Sequence, residues 1–418
     1  MAIFRRQLLA MAALFPLLAA GPARAEPTTL TYWVAWDPLQ AEAKAAQAAI
    51  AEFETANPDI KVKTQVIAYD ALHDKLVTAL AGGDAPDIAW GLSEWFGEFN
   101  KMGVLADLSA HAKAWPDLGA LYPNVVRNLT IDGKLRALPN YLGLRALLYH
   151  ADMLKAAGIE APPKTWDELV QTSAAIQAKT GKPGFGIVGK GARAPQEFIT
   201  CLGQNGVEIA KRMPDGKYRN TWAEAPEELE RATGVLALYG RLLSEKAIPP
   251  QSANWGWEDE DTNFALGQYA MVMNGSWMKG RIDQHPVTMR DVAVAPPPAG
   301  RTAATFFEIA PLYLFNGKHV DATWKLATFL LSRDVQAKVF PDRSPRSDVT
   351  GDPVWGKPFT DLVPVGIAFP PIVLGSIPRD METALGRVLL KGEKPAAVAA
   401  WLAQAINKSL KRSGQLSE

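Results

Sequence analysis

The sequence predicts an α/β protein that contains two domains and a parallel sheet covered by helices. The chain has 418 residues, 48% of them hydrophobic, which is more than one compact core usually accommodates. Strand-like and helix-like segments alternate over residues 28–90. Because this order is typical of a parallel sheet, we expect ligands to gather at the carboxyl ends of its strands.

Residues 1–25 have the form of a secretory signal peptide. Two arginines precede an apolar stretch from Leu8 to Ala20, which is too short for a comfortable membrane span, and the A-x-A cleavage pattern follows at residues 23–25. Cleavage near Ala25 predicts a soluble mature protein in the periplasm. The alternative is a buried N-terminal helix, and the pattern leaves open both the Sec and the twin-arginine export routes.

The first strand is predicted over residues 28–36, and the alanine-rich segment after it is predicted to be a helix. Ala46, Ile50 and Phe53 share one face of that helix, which we expect to end at Asn57-Pro58. Alternating residues 60–67 predict the second strand. These three elements therefore predict a β-α-β unit.

A second helix is predicted from Asp70 as the N-cap residue to a stop at Gly82-Gly83. The side chains expected to be buried on this helix are Leu72, Leu76, Val77 and Leu80. A third strand is predicted over residues 88–90. The unit is thus extended to β-α-β-α-β.

Charge and cysteine content argue against several classes of function. The 44 basic and 44 acidic side chains balance, which is not typical of a nucleic-acid-binding surface. Cys201 is the only cysteine, so an internal disulfide is excluded. The five histidines lack metal-ligand spacing, so we expect no metal site and no cofactor.

Four segments, taken together in chain order, resemble the successive signatures of extracellular solute-binding proteins of ABC importers, in the maltose-binding-like group. They are residues 82–109, 132–170, 264–282 and 319–340. The resemblance covers nearly the whole mature chain. It implies a two-lobed periplasmic binding protein fold in which each lobe is a mostly parallel sheet flanked by helices.

The resemblance also implies how the lobes are assembled and what they do. The N-terminal lobe would contain residues 26–137 plus 282–330, and the C-terminal lobe residues 138–281 plus 331–418. Hinge strands near residues 136–141 would let the lobes close on a ligand. Members of the family perform no chemistry: they act, as expected here, as monomers that deliver a solute to the transmembrane subunits of an ABC permease.

The tryptophan content indicates that the ligand is a carbohydrate. Thirteen tryptophans occur, several of them beside Asp37, Glu94, Asp259 or Asn274. Sugar rings need flat apolar surfaces for their C–H faces and polar groups for their hydroxyl edges. One alternative is an anionic or phosphorylated polyol or sugar derivative held by Arg346 or Arg145, and a more remote one is a secreted glycoside hydrolase that uses two of the carboxylates.

The stretch Asn274-Gly275-Ser276-Trp277 supplies the principal candidate. The resemblance places it at the end of a strand in the cleft, where Trp277 matches the aromatic residue that stacks on sugar in maltodextrin binders. The alternative is that Trp277 only packs the lobe interior. Glu94 and Trp95 fall where the family makes polar contacts from its first lobe, whereas Gly143 stands where maltodextrin binders carry a carboxylate.

Other candidates follow from their positions at strand ends, at the hinge crossing or in polar loops, and several have a structural alternative. Asp70 also caps a helix, Phe307 also suits a core, and Arg346 also suits a salt bridge. The full set of these further candidates is Trp36, Asp37, Asp70, Asn140, Tyr141, Trp222, Trp255, Trp257, Phe307 and Arg346.

Overall fold

A computed structural model describes residues 26–36, 38 and 41–418. The predicted signal peptide and Asp37 lie outside these residues. The strands are β1 Thr28–Val34, β2 Ile60–Val66, β3 Ile88–Trp90, β4 Thr130–Ile131, β5 Lys134–Leu135, β6 Leu138–Leu144, β7 Ala146–His150, β8 Lys211–Arg212, β9 Tyr218–Arg219, β10 Met271–Asn274, β11 Val292–Ala295, β12 Thr305–Leu314 and β13 Gly366–Ile367.

Helices follow most of these strands and cover the sheets. The α-helices are α1 Ala41–Ala56, α2 Tyr69–Gly82, α3 Phe96–Met102, α4 Ser109–Ala114, α5 Pro123–Asn128, α6 Ala151–Ala156, α7 Trp166–Thr180, α8 Arg193–Gln204, α9 Pro226–Ser244, α10 Trp257–Ala265, α11 Val320–Leu330, α12 Arg333–Val339, α13 Lys357–Thr360, α14 Ile377–Leu389 and α15 Pro395–Arg412. Short 3₁₀ helices span Ser93–Trp95, Pro116–Ala120, Pro250–Asn254, Ser276–Arg281 and Val363–Val365.

The first sheet has the strand order β13-β12-β3-β1-β2, with β6 also paired to β12. Strand β1 is parallel to both β2 and β3, which confirms the β-α-β-α-β order read from residues 28–90. Strand β12 runs antiparallel to β3 and β6. The carboxyl ends of β1, β2 and β3 therefore lie at one edge of the sheet, where ligands of such folds gather.

Helix α1 buries the face that hydrophobic spacing predicts, whereas in α2 Leu72 and Leu76 are buried and Val77 and Leu80 are only partly buried. Ala46, Ile50 and Phe53 of α1 are buried. In α2, Gly83 takes a left-handed conformation (φ 80°) and ends the helix as expected. The predicted N-cap is wrong: the N-cap residue is Ala68, because the helix already begins at Tyr69, and Asp70 lies exposed in its first turn.

The second sheet has the order β10-β7-β11, and both pairings of β7 are antiparallel. The α/β class is confirmed, but the expectation of a mostly parallel sheet in each lobe does not hold for these strands. Strands β10 and β11 both reach β7 from later, non-adjacent parts of the chain, and both run in the opposite direction to it.

Two crossings between the sheets, β6 to β7 and β11 to β12, lie side by side. Strand β6 of the first sheet continues into β7 of the second sheet through Arg145 alone. The return crossing runs from β11 to β12, and Thr305 at its end hydrogen bonds with both the backbone N–H (3.2 Å) and the backbone carbonyl of Arg145. Arg145 is therefore fixed at the junction of the two sheets.

Two hydrophobic cores are present, and the chain after residue 330 contributes to both. The first surrounds the first sheet and extends to Leu148 and Val272 of the second sheet, whereas Leu147 and Met271 lie in the second core. Helices α14 and α15 pack with α9 in the second core, as the predicted lobes require. Helix α12 instead packs against α1, and Phe340 and Phe359 lie in the first core. The contacts of residues 333–363 thus differ from the predicted boundary at residue 331, because α12 follows α11 without leaving its surface; the division into lobes stays a prediction.

Candidate ligand-binding site

A cavity of about 320 Å³ lies where the two sheets meet. Ala35, Tyr69, Glu308 and Arg343 line it from the side of the first sheet. The opposite wall is lined by Ala192, Arg193, Gln196, Trp257, Asp261 and Trp277, and Arg145 lies at the junction. Ala35 follows β1 and Tyr69 follows β2, so the cavity is at the sheet edge that the strand order predicts.

Glu308 reaches the cavity from the otherwise apolar strand β12. It lies opposite Gly143 of β6 in the antiparallel register. A Cβ atom added at Gly143 would lie 3.1 Å from the Glu308 Cβ and 3.4 Å from its Oε1. The absence of a side chain at residue 143 therefore leaves the space that the Glu308 side chain occupies, and the carboxylate enters the site from the neighbouring strand.

The turn after β10 explains how a tryptophan is presented to the cavity. Asn274 is buried, and its Nδ2 donates a 2.7 Å hydrogen bond to Asp261 while its Oδ1 accepts one from the Gly275 N–H. The Trp277 ring lies directly over Gly275, where a Cβ would be 1.9 Å from the indole. Glycine is required here because any side chain would displace Trp277.

Aromatic rings and arginines alternate along the second wall. The guanidinium carbon of Arg193 lies 5.8 Å from the Trp257 ring centroid and 5.5 Å from that of Trp277. The guanidinium carbon of Arg145 lies 5.5 Å from the Trp277 centroid and 4.9 Å from that of Phe306. These distances are within the range of cation–π attraction, so the arginines hold the Trp277 ring in place.

A buried group of carboxylates surrounds Arg193. Its Nη1 donates to Glu260 (2.8 Å) and to Asp261. Burial raises the pKa of Glu197 to about 7. Burial, followed by the charge of Glu197, raises the pKa of Glu260 well above its usual range. A proton is therefore held among these acids near neutral pH, because the charged forms are poorly solvated there.

Hydrogen bonds connect the two walls directly. The Gln196 side chain accepts from Arg145 Nη2 and donates to Glu94 Oε1. Arg145 Nη2 also lies 3.4 Å from Glu308 Oε2. Burial, and then the negative charge of Glu308, raises the pKa of Glu94. The walls are thus in contact, and Glu94 and Glu308 lie near each other on the first of them.

Of the residues predicted from the sequence, the structure brings Trp257 and Trp277 to the cavity. Glu94 contacts it through Gln196. Asn274 and Gly275 position Trp277 without lining the cavity. These five residues form one continuous group.

Four predicted residues lie behind the first wall. Tyr141 packs under the guanidinium of Arg343, 4.3 Å from its ring centroid, and Trp36 packs edge-on against Tyr32 in a separate small gap that Asn140 also lines. Trp95 contacts Trp90. These residues do not line the main cavity.

Five other predicted residues do not lie at the site, and three of them are aromatic. Trp222 is 1% exposed and donates its indole N–H to the Glu208 carbonyl, so the polar sequence around it is misleading. Trp255 packs on Tyr269. Phe307 is fully buried in the first core.

The charged candidates Arg346 and Asp70 are also corrected. Arg346 is 3% exposed and forms salt bridges with Asp117 (2.7 Å) and Asp348 (2.8 Å). Its positive charge is therefore neutralised by these two carboxylates and does not face a ligand. Asp70 points away from the wall as an exposed residue of α2, next to Tyr69, which does line the cavity.

Sequence reasoning missed Arg193, Gln196 and Glu308, and it selected Arg346 although the nearby Arg343 lines the cavity. One signal was available for Glu308, since it is the only charged residue in the ten-residue strand Thr305–Leu314. A charge in a strand that is otherwise buried needs a partner or a ligand. No comparable pattern marks Arg193 or Gln196 within α8.

Two other kinds of feature are absent from the described residues. They contain no group of three or more His, Cys, Asp or Glu side chains placed to hold a metal ion. Within the same part of the chain, no helix combines the length and apolar character needed to cross a membrane.

Residues 37–337 match the family profile of bacterial extracellular solute-binding proteins. The chain belongs to this family. A protein of Brucella abortus (strain 2308), described as a binding protein, is 28% identical over 290 residues, which cover 68% of each chain. The arabinooligosaccharide-binding protein of Bacillus subtilis (strain 168) is 27% identical over 297 residues, which cover 67% of this chain and 64% of that protein.

The fold of this solute-binding protein is also found in solved structures. An ABC transporter solute-binding protein from Thermotoga lettingae, bound with α-D-tagatose, superposes with a TM-score of 0.77 at 27% identity. The match covers 92% of this chain and all of the Thermotoga chain. The two-lobed architecture expected from the sequence is therefore that of known solute-binding proteins.

Proposed function

We propose that this solute-binding protein captures a sugar in the cavity between its sheets and delivers it to an ABC permease. The observation that supports this most directly is the pairing of indoles and carboxylates in one cavity. Trp257 and Trp277 offer apolar surface, while Glu308, Asp261 and Gln196 offer polar groups within the same 320 Å³. Sugar rings require this combination.

The relatives support the ligand class. The Bacillus protein is named for arabinooligosaccharides, and the Thermotoga protein is bound to α-D-tagatose. Both are sugars. We extend this class, without either particular sugar, to the present protein, together with a periplasmic location, a monomeric state and transfer of the solute to permease subunits without chemical change.

A thermal-shift screen across sugars, polyols, sugar acids and glycosyl glycerols tests the proposal. A ligand at 100 times its dissociation constant stabilises the folded state by about 2.7 kcal/mol, so a true ligand raises the melting temperature clearly. The sugar that gives the largest shift is then titrated by calorimetry. If no sugar or polyol in the screen shifts melting, the proposed ligand class is wrong.

Incubation with the same sugar separates binding from hydrolysis. We expect the recovered sugar to be unchanged and no new reducing ends to form. Release of reducing ends by the purified protein would instead support a glycoside hydrolase.

A further inference from the structure

The three arginines that line the cavity suggest at first that it binds an anion. Each of them already contacts a carboxylate. Arg193 pairs with Asp261 and Glu260, Arg343 pairs with Glu42, and Arg145 lies 3.4 Å from Glu308. An anionic solute would have to compete with these fixed carboxylates for each guanidinium.

Arg145 lines the cavity and has donors left over, but these donors are buried. Its Nε and Nη1 atoms make no hydrogen bond to any described residue and are shut off from solvent. The guanidinium lies over the rings of Trp277 and Phe306. An anion in the cavity therefore has no open path to these two N–H groups.

Two carboxylates on the first wall have unused hydrogen-bonding capacity. Glu94 accepts from Gln196 and from the Ser93 hydroxyl, and no cation of the described residues contacts it. Among the same residues, Arg145 is the only cation within 4.0 Å of Glu308, at 3.4 Å, which is longer than the roughly 2.8 Å of a strong charge-assisted hydrogen bond. Arg343 lines the same cavity but makes its salt bridge with Glu42. Because an ionised carboxylate offers about four acceptor positions, Glu308 can accept several further hydrogen bonds.

Glu308 occupies this position because of the strand register. It stands opposite Gly143, and a methyl group at residue 143 would come within 3.1 Å of its Cβ. In the β6–β12 pair, the Glu308 side chain occupies the space that is free because Gly143 has no side chain, and this places its carboxylate at the cavity.

We propose, on the basis of the function proposed above, that Glu308 determines the charge of the solute. Its carboxylate accepts hydrogen bonds from sugar hydroxyls and, together with Glu94, excludes sugars that carry a carboxylate or phosphate group. The three arginines position the carboxylates and aromatic rings of the walls instead of binding an anion.

The test compares wild-type protein with Glu308→Gln, using matched pairs of a neutral sugar and its uronic acid, such as D-glucose with D-glucuronate and D-galactose with D-galacturonate. We expect wild-type protein to bind the neutral member about a hundredfold or more tightly than the acid, because a like charge in an interface is strongly unfavourable. Glu308→Gln should reduce this ratio at least about tenfold.

Inorganic phosphate provides a second arm that does not depend on the identity of the sugar. It should leave the melting temperature of wild-type protein unchanged and raise that of Glu308→Gln. Glu52→Gln, which removes the same charge from an exposed site on α1, should behave like wild type in both arms.

Gly143→Ala tests the positioning of the carboxylate without changing any charge. It should weaken binding of the neutral sugar because it displaces Glu308. Gly119→Ala, where an added methyl group meets nothing within 4 Å, should not.

Three results would overturn the inference: a uronate or phosphate that binds wild type as tightly as the neutral sugar, an unchanged ratio in Glu308→Gln, or stabilisation of wild type by phosphate. If neither the neutral sugars nor the uronic acids bind, the proposed function is wrong. The measurement with inorganic phosphate then still tests whether Glu308 excludes anions.

Discussion

Trp277 is the residue at which the sequence prediction and the structure agree most closely. Its ring is half-buried at the cavity, held by Gly275 beneath it and by Arg145 and Arg193 beside it. These contacts also mean that the ring and the arginines depend on each other. A substitution here changes the wall as well as one stacking surface.

Trp277→Ala should weaken binding of the sugar found in the screen by roughly 2–4 kcal/mol, the range for buried aromatic anchors. Trp277→Phe should restore part of the loss. Calorimetric titration measures both. Trp401→Ala is the matched control, because Trp401 is also half-buried beneath an arginine, Arg387, but lies on α15 away from the cavity. Unchanged affinity in Trp277→Ala would remove this residue from the site.

Glu197 should make the stability of the protein depend on pH. Burial raises its pKa from the usual 4.5 to about 7. The contribution of this raised pKa to the free energy of unfolding is therefore complete below about pH 4.5 and is lost as the pH rises through about 7. Between about pH 5 and about pH 8, wild-type protein should lose several degrees of melting temperature relative to Glu197→Gln.

Melting curves of the two proteins and of the exposed control Glu52→Gln check this prediction. Parallel curves for wild type and Glu197→Gln across the pH range would show that Glu197 does not hold the proton.

At the scale of elements, the turn after β10 connects a strand end to the cavity wall. Asn274, the last residue of the strand, donates a hydrogen bond to Asp261, and Gly275 leaves room for the Trp277 indole. Trp277 lies in the first turn of the 3₁₀ helix Ser276–Arg281 that follows. The position of Trp277 is thus a property of the whole turn.

Gly275→Ala should displace the Trp277 ring and weaken sugar binding by about tenfold or more, because its Cβ would overlap the indole. Gly280→Ala is the matched control in the same turn, since an added methyl group there meets nothing within 4 Å. Titration of both variants with the same sugar checks the prediction. Equal affinities in the two variants would contradict it.

At the scale of the whole molecule, the two sheets are joined at Arg145 and contact each other across the cavity through Gln196 and Glu94. The crossings from β6 to β7 and from β11 to β12 pass through one small region, at Arg145 and Thr305. This arrangement allows rotation of one sheet relative to the other about the junction.

Saturation with the sugar found in the screen should lower the radius of gyration measured by small-angle X-ray scattering, because a ligand that contacts both walls favours the closed state. Gln196→Ala should be more open than wild type before sugar is added. A radius of gyration that stays the same in both proteins, with and without sugar, would argue against closure about this junction.

Export should remove the N-terminal segment. We expect the mature protein to begin at or near Glu26, because residues 23–25 form the cleavage pattern. Intact-mass measurement of the exported protein tests this. A retained N-terminus or an added lipid mass would overturn the prediction.

The sequence by itself determined the class of fold and the family, and it predicted an aromatic residue that the structure places at the cavity. Hydrophobic spacing predicted β1, α1, β2, α2 and β3 because their buried faces depend on local periodicity. Trp277 was predicted because the stretch Asn274–Trp277 resembles the segment of the family in which an aromatic residue stacks on sugar.

Only the tertiary structure decided which charged groups line the cavity. Arg343 and Arg346 lie three residues apart in one loop. Arg343 lines the cavity, whereas Arg346 forms salt bridges with Asp117 and Asp348. Glu308 reaches the cavity because β12 pairs with β6 in a register that sets it against Gly143. Asp117 and Gly143 are each more than a hundred residues from the side chain that they position, and spacing along the chain carries no record of such partners.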